Sequence, residues 1–210
     1  MFKISNSRSN QRAETRRGEI LASASGAFRR LGVRRAGMRE IAQAAGLSPG
    51  NLYYYFRNKD ELVYFCQDRS LDALLAVAAE AKKKPGAPAQ LEHLVRGHLS
   101  VLLDRHAAGT LHLDLDLLPA PLLRKVIAKR DRYEERVRAI LAEGQRRGEV
   151  RAGDAKLAAF GLLGALNWSA RWFRPDAGWT VEGIADSFVD QLLRGLLVAP
   201  RKRRNNTHGL

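Results

Sequence analysis

Gly50, Asn51 and Tyr54 fall on one face of a short stretch of chain, 100° per residue apart, with Tyr53 and Tyr55 on its two flanks. These residue types suit the edges of DNA bases. A side-chain amide such as that of Asn51 can pair with adenine, and the Tyr54 ring can meet a thymine methyl while its hydroxyl bonds a base. Gly50 lets backbone come close to a base edge. Tyr53, Tyr55 and Lys59 would then stand near phosphates, which fix register without reading sequence. Three consecutive tyrosines on a helix cannot all be buried, because they point in three directions. The alternative for the same residues is an ordinary helical hairpin with tyrosines half-buried by packing.

The elements that must hold these groups are written in the neighbouring residues. Met38, Ile41, Ala42 and Ala45 recur at i, i+3, i+4 and i+7 and lay one apolar stripe along a helix. Gly46 ends that helix by accepting the left-handed conformation common just past a helix terminus. Ser48 is a good N-cap for the next helix, and Pro49 suits its first position. Leu52 and Phe56 share the face opposite the exposed groups and can sit on the preceding helices. Upstream, Ile20, Ala24, Phe28 and Leu31 mark a bracing helix that ends at Gly32. Two helices joined by a short glycine-containing turn form a helix-turn-helix, whose second helix enters the major groove.

The stretch closely resembles the DNA-binding domain of TetR-family transcriptional regulators, whose pattern runs roughly I-A-x-x-A-G-[VL]-S-x-G-x-L-Y-x-[HY]-F-x-[SN]-K-[ED]-x-L. Ile41-Ala42, Ala45-Gly46-Leu47-Ser48, Gly50, Leu52-Tyr53, Tyr55-Phe56, Asn58-Lys59-Asp60 and Leu62 meet it. The match is firm over residues 12–62 and general beyond. One departure stands out: the family usually carries Thr-Thr where this chain has Ala36-Gly37. Gly37 can still cap, but a hydroxyl that often also touches phosphate is missing. The resemblance implies an all-α chain, a three-helix DNA-binding head followed by a helical effector-binding and dimerisation domain. Gly37, Met38, Ser48, Pro49, Gly50, Asn51, Tyr53, Tyr54, Tyr55 and Lys59 are the expected DNA-binding set.

Charge agrees in part. The 210 residues hold 36 Lys+Arg against 22 Asp+Glu, a formal net charge of +14. Residues 1–61 alone carry 12 basic and 5 acidic residues, so half of the excess sits in under a third of the chain. Such a surface binds polyanions by releasing counterions and predicts steep salt dependence. Residues 1–11, rich in Ser, Asn and basic groups, read as a flexible arm, with Lys3, Arg8, Arg12, Arg16 and Arg17 able to reach a minor groove or phosphates, the alternative being a disordered tail without contacts. A basic tail occupies 201–210. No apolar run approaches the roughly 18–20 residues that span a bilayer, and the N-terminus is too polar for a signal peptide. A single cysteine, Cys66, excludes an internal disulfide and points to a packed thiol in a reducing cytoplasm.

Residues 63–200 read as helices. One runs over 59–83 and stops at Pro85-Gly86-Ala87-Pro88; another covers 90–106, with Leu91, Leu94, His98, Val101 and Leu102 inward. Residues 111–117 alternate like a strand but have no partner strand. A charged helix over 119–149 turns Val126, Tyr133, Val137, Ile140 and Leu141 inward. Residues 155–173 carry the small residues Ala158, Ala159, Gly161, Gly164 and Ala165, and 180–197 carry Ile184, Phe188, Leu192 and Leu196 at near-heptad spacing. Pairing of these last two helices with their copies would make a four-helix bundle across a two-fold axis, and so a homodimer facing a palindromic operator. The alternative is a monomer that buries them internally.

The resemblance also implies a small-molecule effector between helices of the second domain, in a mainly apolar pocket. The expected lining is Leu99, Leu102, Leu103, Tyr133, Val137, Leu163, Trp168, Arg171 and Trp172. The segment N-W-S-A-R-W-F-R-P over 167–175 is similar to one in family members that sense acyl-CoA thioesters and lipid or sterol breakdown products. Trp168, Arg171 and Trp172 lie at i, i+3 and i+4, where Arg171 could stack on a ring or meet a carboxylate or phosphate. His93, His98, His106 and His112 lie near Asp114 and Asp116, but their spacings share no helical face, so solvated histidines and no metal are expected. No cofactor is expected. No nucleophile elbow, phosphate loop, dinucleotide fingerprint or Cys–His pair marks an enzyme. A DNA-packaging protein without sequence preference remains the other class, and it would not need so particular a reading face.

Overall fold

The computed structural model describes residues 4–104, 118–174 and 176–198. Their regular structure is helical: α1 (Ile4–Leu31), α2 (Met38–Ala44), α3 (Pro49–Tyr55), α4 (Lys59–Ala81), α5 (Gly86–Leu103), α6 (Ala120–Arg146), α7 (Ala155–Trp172) and α8 (Val181–Leu196). The one extended pairing among these residues is an isolated antiparallel bridge between Val150 and Leu197. The expectations for 111–117, for His106, His112, Asp114 and Asp116, and for the tail lie outside the described residues.

Local chemistry starts and stops the helices of the head. Gly32 and Gly46 take φ of 77° and 63° just past α1 and α2, the left-handed region that costs glycine little. The Ser48 hydroxyl accepts the Asn51 N–H at 3.2 Å, and the Asn58 carboxamide oxygen accepts the Glu61 N–H at 2.8 Å, capping α3 and α4. Ile20, Ala24, Ala27 and Phe28 of α1 bury against Met38, Ile41 and Ala42 of α2, Leu52 of α3 and Phe56 just beyond it. Leu31, expected in that stripe, stays exposed, and Ala27 takes its place.

Two boundaries differ from the sequence reading. The backbone is helical from Ile4, inside the segment set apart as an arm, because α1 meets no proline and no glycine before Gly18. Helix α5 starts at Gly86 instead of near residue 90. Pro88 falls in the first turn, where no intrahelical N–H bond is needed. The Ala87 N–H is taken by the Glu149 carboxylate at 2.7 Å, 62 residues away in the chain. That partner cannot be read from local sequence.

In the second domain α4 packs on α5 and α6, α5 on α8, and α6 on α7. Helices α4 and α5 approach so closely at Gly97 that a Cβ there would come within 2.4 Å of Val77 Cγ1. The α4–α6 contact is tied by the Lys129 ammonium between the carboxylates of Asp68 (2.6 Å) and Asp72 (2.7 Å). Cys66 is buried in α4, and burial pushes its thiol pKa up, which makes it a packing residue. No described helix is long and apolar enough to cross a membrane.

Candidate nucleic-acid interface and effector cavity

Helix α3 turns Leu52 into the head and leaves Ser48, Pro49, Gly50, Asn51, Tyr53 and Tyr54 open. Tyr54 is 83% exposed and Tyr53 50%. Tyr55 is half-buried and meets the Tyr54 ring edge-on, with centroids 5.2 Å apart. A phenol so exposed, on a helix whose apolar side is fully packed, has no folding role to explain it. The Ser48 oxygen is occupied as an acceptor by its cap bond, but its O–H can still donate to a phosphate.

The structure distributes the other expected DNA-binding residues differently. Met38 is 9% exposed and belongs to the core, so only its backbone is left at the start of α2. Its side chain packs as the apolar stripe predicts, so a contact of Met38 with DNA would have to come from its backbone. Gly37 caps α2 through its backbone: its N–H donates to Glu40 Oε2 at 3.0 Å. The Lys59 ammonium donates to the Arg34 carbonyl at 3.1 Å, and burial lowers its pKa against the opposing pull of Asp60 and Glu40. It thus already braces the turn before α2.

Arg17, proposed for the arm, is turned inward. Its guanidinium donates to the Tyr55 carbonyl at 2.9 Å and to Glu61 Oε1 at 3.2 Å, and stacks 5.0 Å and 5.2 Å from the Phe56 and Phe65 ring centroids. One cation therefore joins α1, the end of α3 and the start of α4. Arg16 pairs with Glu19. Exposed Arg35, Arg39 and Arg57 stand beside the ends of the two short helices. They were not singled out from sequence, where only their position next to the motif could have marked them.

A cavity of about 600 Å³ lies between α4, α5, α6 and α7. Leu71, Leu74 and Leu163 give it apolar wall and His98, Tyr133 and Asn167 polar wall, while Arg130, Arg138 and Lys156 bring positive charge against the carboxylates of Asp131 and Glu134. Of the residues expected there, Tyr133 and Leu163 are present. Leu99, Leu102, Leu103 and Val137 are buried in the core around it. Trp168 and Arg171 face outward on α7, while Trp172 packs against Trp179 and Phe188 with centroids 5.7 Å and 6.3 Å away. His98 faces inward, as its place on the helix predicts, and is not one of the solvated histidines expected of the group. It is 1% exposed and bonded on both ring nitrogens, to Tyr133 and Asn167. Among the described residues no group of His, Cys, Asp or Glu is placed to hold a metal ion.

On the outside of α7, Leu157 (68% exposed), Phe160 and Trp168 (64%) form an apolar stripe interrupted by Gly161 and Gly164. On α8, Phe188, Leu192 and Leu196 are half-buried, while Ile184 is buried within the subunit.

Comparison with known proteins covers both regions. Residues 20–64 match the family described as "Bacterial regulatory proteins, tetR family", and residues 85–196 match "Tetracyclin repressor-like, C-terminal domain". The chain is 29% identical over 185 residues to the HTH-type transcriptional repressor KstR2 of Rhodococcus jostii, spanning 86% of this chain and 91% of that protein. It is 25% identical over 169 residues to the fatty acid metabolism regulator protein of Bacillus subtilis, spanning 79% and 87%. The crystal structure of the regulator PfmR from Thermus thermophilus superposes with a TM-score of 0.77 at 33% identity, covering 84% of this chain and 97% of that one.

Proposed function

The chain belongs to the TetR family of bacterial regulatory proteins, a family of DNA-binding transcriptional regulators and not of enzymes, and we propose that it is a homodimeric repressor released from a palindromic operator by an acyl-CoA thioester. The observation that carries the DNA assignment is the packing of α3: its apolar side is sealed in the head while Asn51, Tyr53 and Tyr54 stand in solvent. Gly50 and Asn51 meet base edges together with Tyr54. Ser48, Pro49, Tyr53, Tyr55 and the backbone at Gly37 lie along phosphates. Lys59 adds its charge there while holding Arg34.

Several findings support the rest of the reading. The apolar stripe on α7, with glycines that admit a close neighbour, suits a two-fold pairing of α7 and α8 with their copies. The cavity borders α4, the helix that leaves the head, so a ligand there can favour one spacing of two heads over another. Repression follows a relative that is named a repressor, and the thioester follows the similarity of residues 167–175 and the relative named for fatty acid metabolism. Action on DNA supports a cytoplasmic setting.

The test is selection of bound sequences from a random DNA pool at near-physiological salt, followed by titration of the enriched site with acyl-CoAs. The expected product is an inverted repeat with half-sites one or more helical turns apart, released by thioester. Recovery of unenriched sequence would refute the reading, and would leave a packaging protein as the better description.

A further inference from the structure

Along one wall of the cavity, polar side chains from three helices are joined in series. The Tyr133 hydroxyl of α6 lies 3.0 Å from Nδ1 of His98 on α5, and Nε2 of the same ring lies 3.1 Å from Oδ1 of Asn167 on α7. An amide oxygen only accepts, so Nε2 carries the ring hydrogen and Nδ1 accepts from the phenol. Burial pushes the Tyr133 pKa upward, so the phenol keeps its hydrogen throughout the working range. Both ring nitrogens and the phenol hydrogen are thus engaged, and the Asn167 amide NH2 is the donor left at the cavity wall. Reversing the amide would run the series backwards and leave the phenol hydrogen as the spare donor on the same wall. In both directions the series ends on a donor beside the ligand space.

The surroundings give that donor its meaning. Leu71, Leu74 and Leu163 make the adjoining wall apolar, while Lys156, Phe160 and Gly164 stand on the exposed side of the cavity. The open side carries Lys156 and Asp131 and the paired Arg138 and Glu134, while Leu71, Leu74, His98 and Tyr133 are more buried. An amphipathic occupant therefore has its polar end outward and the end of its acyl group inward, against His98, Tyr133 and Asn167. An apolar group lacking an acceptor would displace water from that donor and leave it unpaired beneath the ligand, which disfavours such analogues.

Building on the thioester reading above, we propose that the cavity selects acyl groups bearing an oxygen acceptor, such as a ketone, near the end remote from the thioester, with Asn167 donating to it. Tyr133 and His98 are positioning residues that fix the Asn167 amide. A saturated acyl chain of equal length is discriminated against.

The experiment compares decanoyl-CoA with 9-oxodecanoyl-CoA by calorimetric titration of the full-length protein. We expect the oxo compound to bind about tenfold more tightly, the worth of one well-made hydrogen bond. In Asn167→Leu the ratio should fall to near one, with decanoyl-CoA binding at least as well as before. Tyr133→Phe should reduce the ratio in part. If decanoyl-CoA binds the unaltered protein as tightly as its oxo partner, or if Asn167→Leu keeps the ratio, the proposal is overturned while the thioester reading survives. If neither compound binds, the thioester reading fails and takes the proposal with it. The comparison in the unaltered protein decides the matter even should a variant not fold.

Discussion

The guanidinium of Arg17 on α1 holds the main-chain oxygen of Tyr55, the last residue of α3, at 2.9 Å. The reading helix is thus fastened by a residue 38 positions earlier, which also reaches Glu61 at the start of α4. The cation sits where the helix carbonyls concentrate negative charge, and its flat face covers Phe56 and Phe65.

Replacing Arg17 by Ala should therefore lower stability by about 1–3 kcal/mol, the usual cost of leaving a partly buried acceptor without its donor. It should weaken operator binding further than that loss of folded protein explains. Thermal melts and fluorescence anisotropy on the selected operator check both. A variant that melts early but binds normally once folded would remove Arg17 from the reading assembly.

Tyr54→Ala and Lys59→Ala should separate two kinds of contact. With its phenol 83% exposed, Tyr54 can be lost without harm to the fold, and discrimination between operator and scrambled DNA should drop by about 1–3 kcal/mol while nonspecific affinity holds. Lys59→Ala should weaken binding to all sequences and lower the salt slope by about one unit. It should also cost stability, because the Arg34 carbonyl loses its donor. Competition titrations at several salt concentrations distinguish these patterns.

Gly37→Thr restores the hydroxyl that relatives of the family usually carry before the second helix. Gly37 has an ordinary φ of −86°, so the backbone accepts threonine. The new Cβ would meet only the far end of the Glu40 side chain, at 2.7 Å, and that carboxylate would have to shift while keeping the Gly37 N–H. Stability should change by no more than a few tenths of a kcal/mol, since glycine is already a tolerable cap. Operator affinity should rise by a few fold through the added phosphate contact. Unchanged affinity at low and high salt would show that this position does not reach the backbone of DNA.

Gly161→Arg tests the pairing of subunits. Nothing lies within 4 Å of the Cβ it would add, and arginine is the better helix former, so each subunit should fold at least as well. An arginine set between Leu157 and Trp168 should prevent two α7 helices from meeting. Sedimentation should then show a monomer, with loss of tight operator binding. A persistent dimer would place the interface elsewhere.

Much of the head was legible because its signals are local. Ser48-Pro49, Gly46 and the spacing of Leu52 and Phe56 each act within one or two turns, and the structure has the cap, the stop and the buried face where they predict them. Met38 packs where its spacing predicts, which leaves only its backbone to meet DNA. The second domain gave up its helices but not its cavity. Leu99, Leu102 and Val137 carry the same apolar signal whether they face a ligand or a neighbouring helix, and only the packing of four helices decides. The inward place of His98 was legible from helical spacing, but its partners, Tyr133 and Asn167, are 35 and 69 positions away, so its hydrogen bonds were not. The onset of α5 was missed for a similar reason, since Glu149 stabilises it from outside.

Leu74 on the cavity wall and Lys59 at the head belong to one unbroken α4. Fifteen residues separate them, a rod of about 22 Å, so a rotation of about 5° at the ligand becomes a travel of about 2 Å at the far end. Hydrogen bonds to bases tolerate only a fraction of that displacement. On the proposed reading the chain works as a gearing: a ligand need only nudge two leucines for the distant tyrosines to fall out of mesh with the groove.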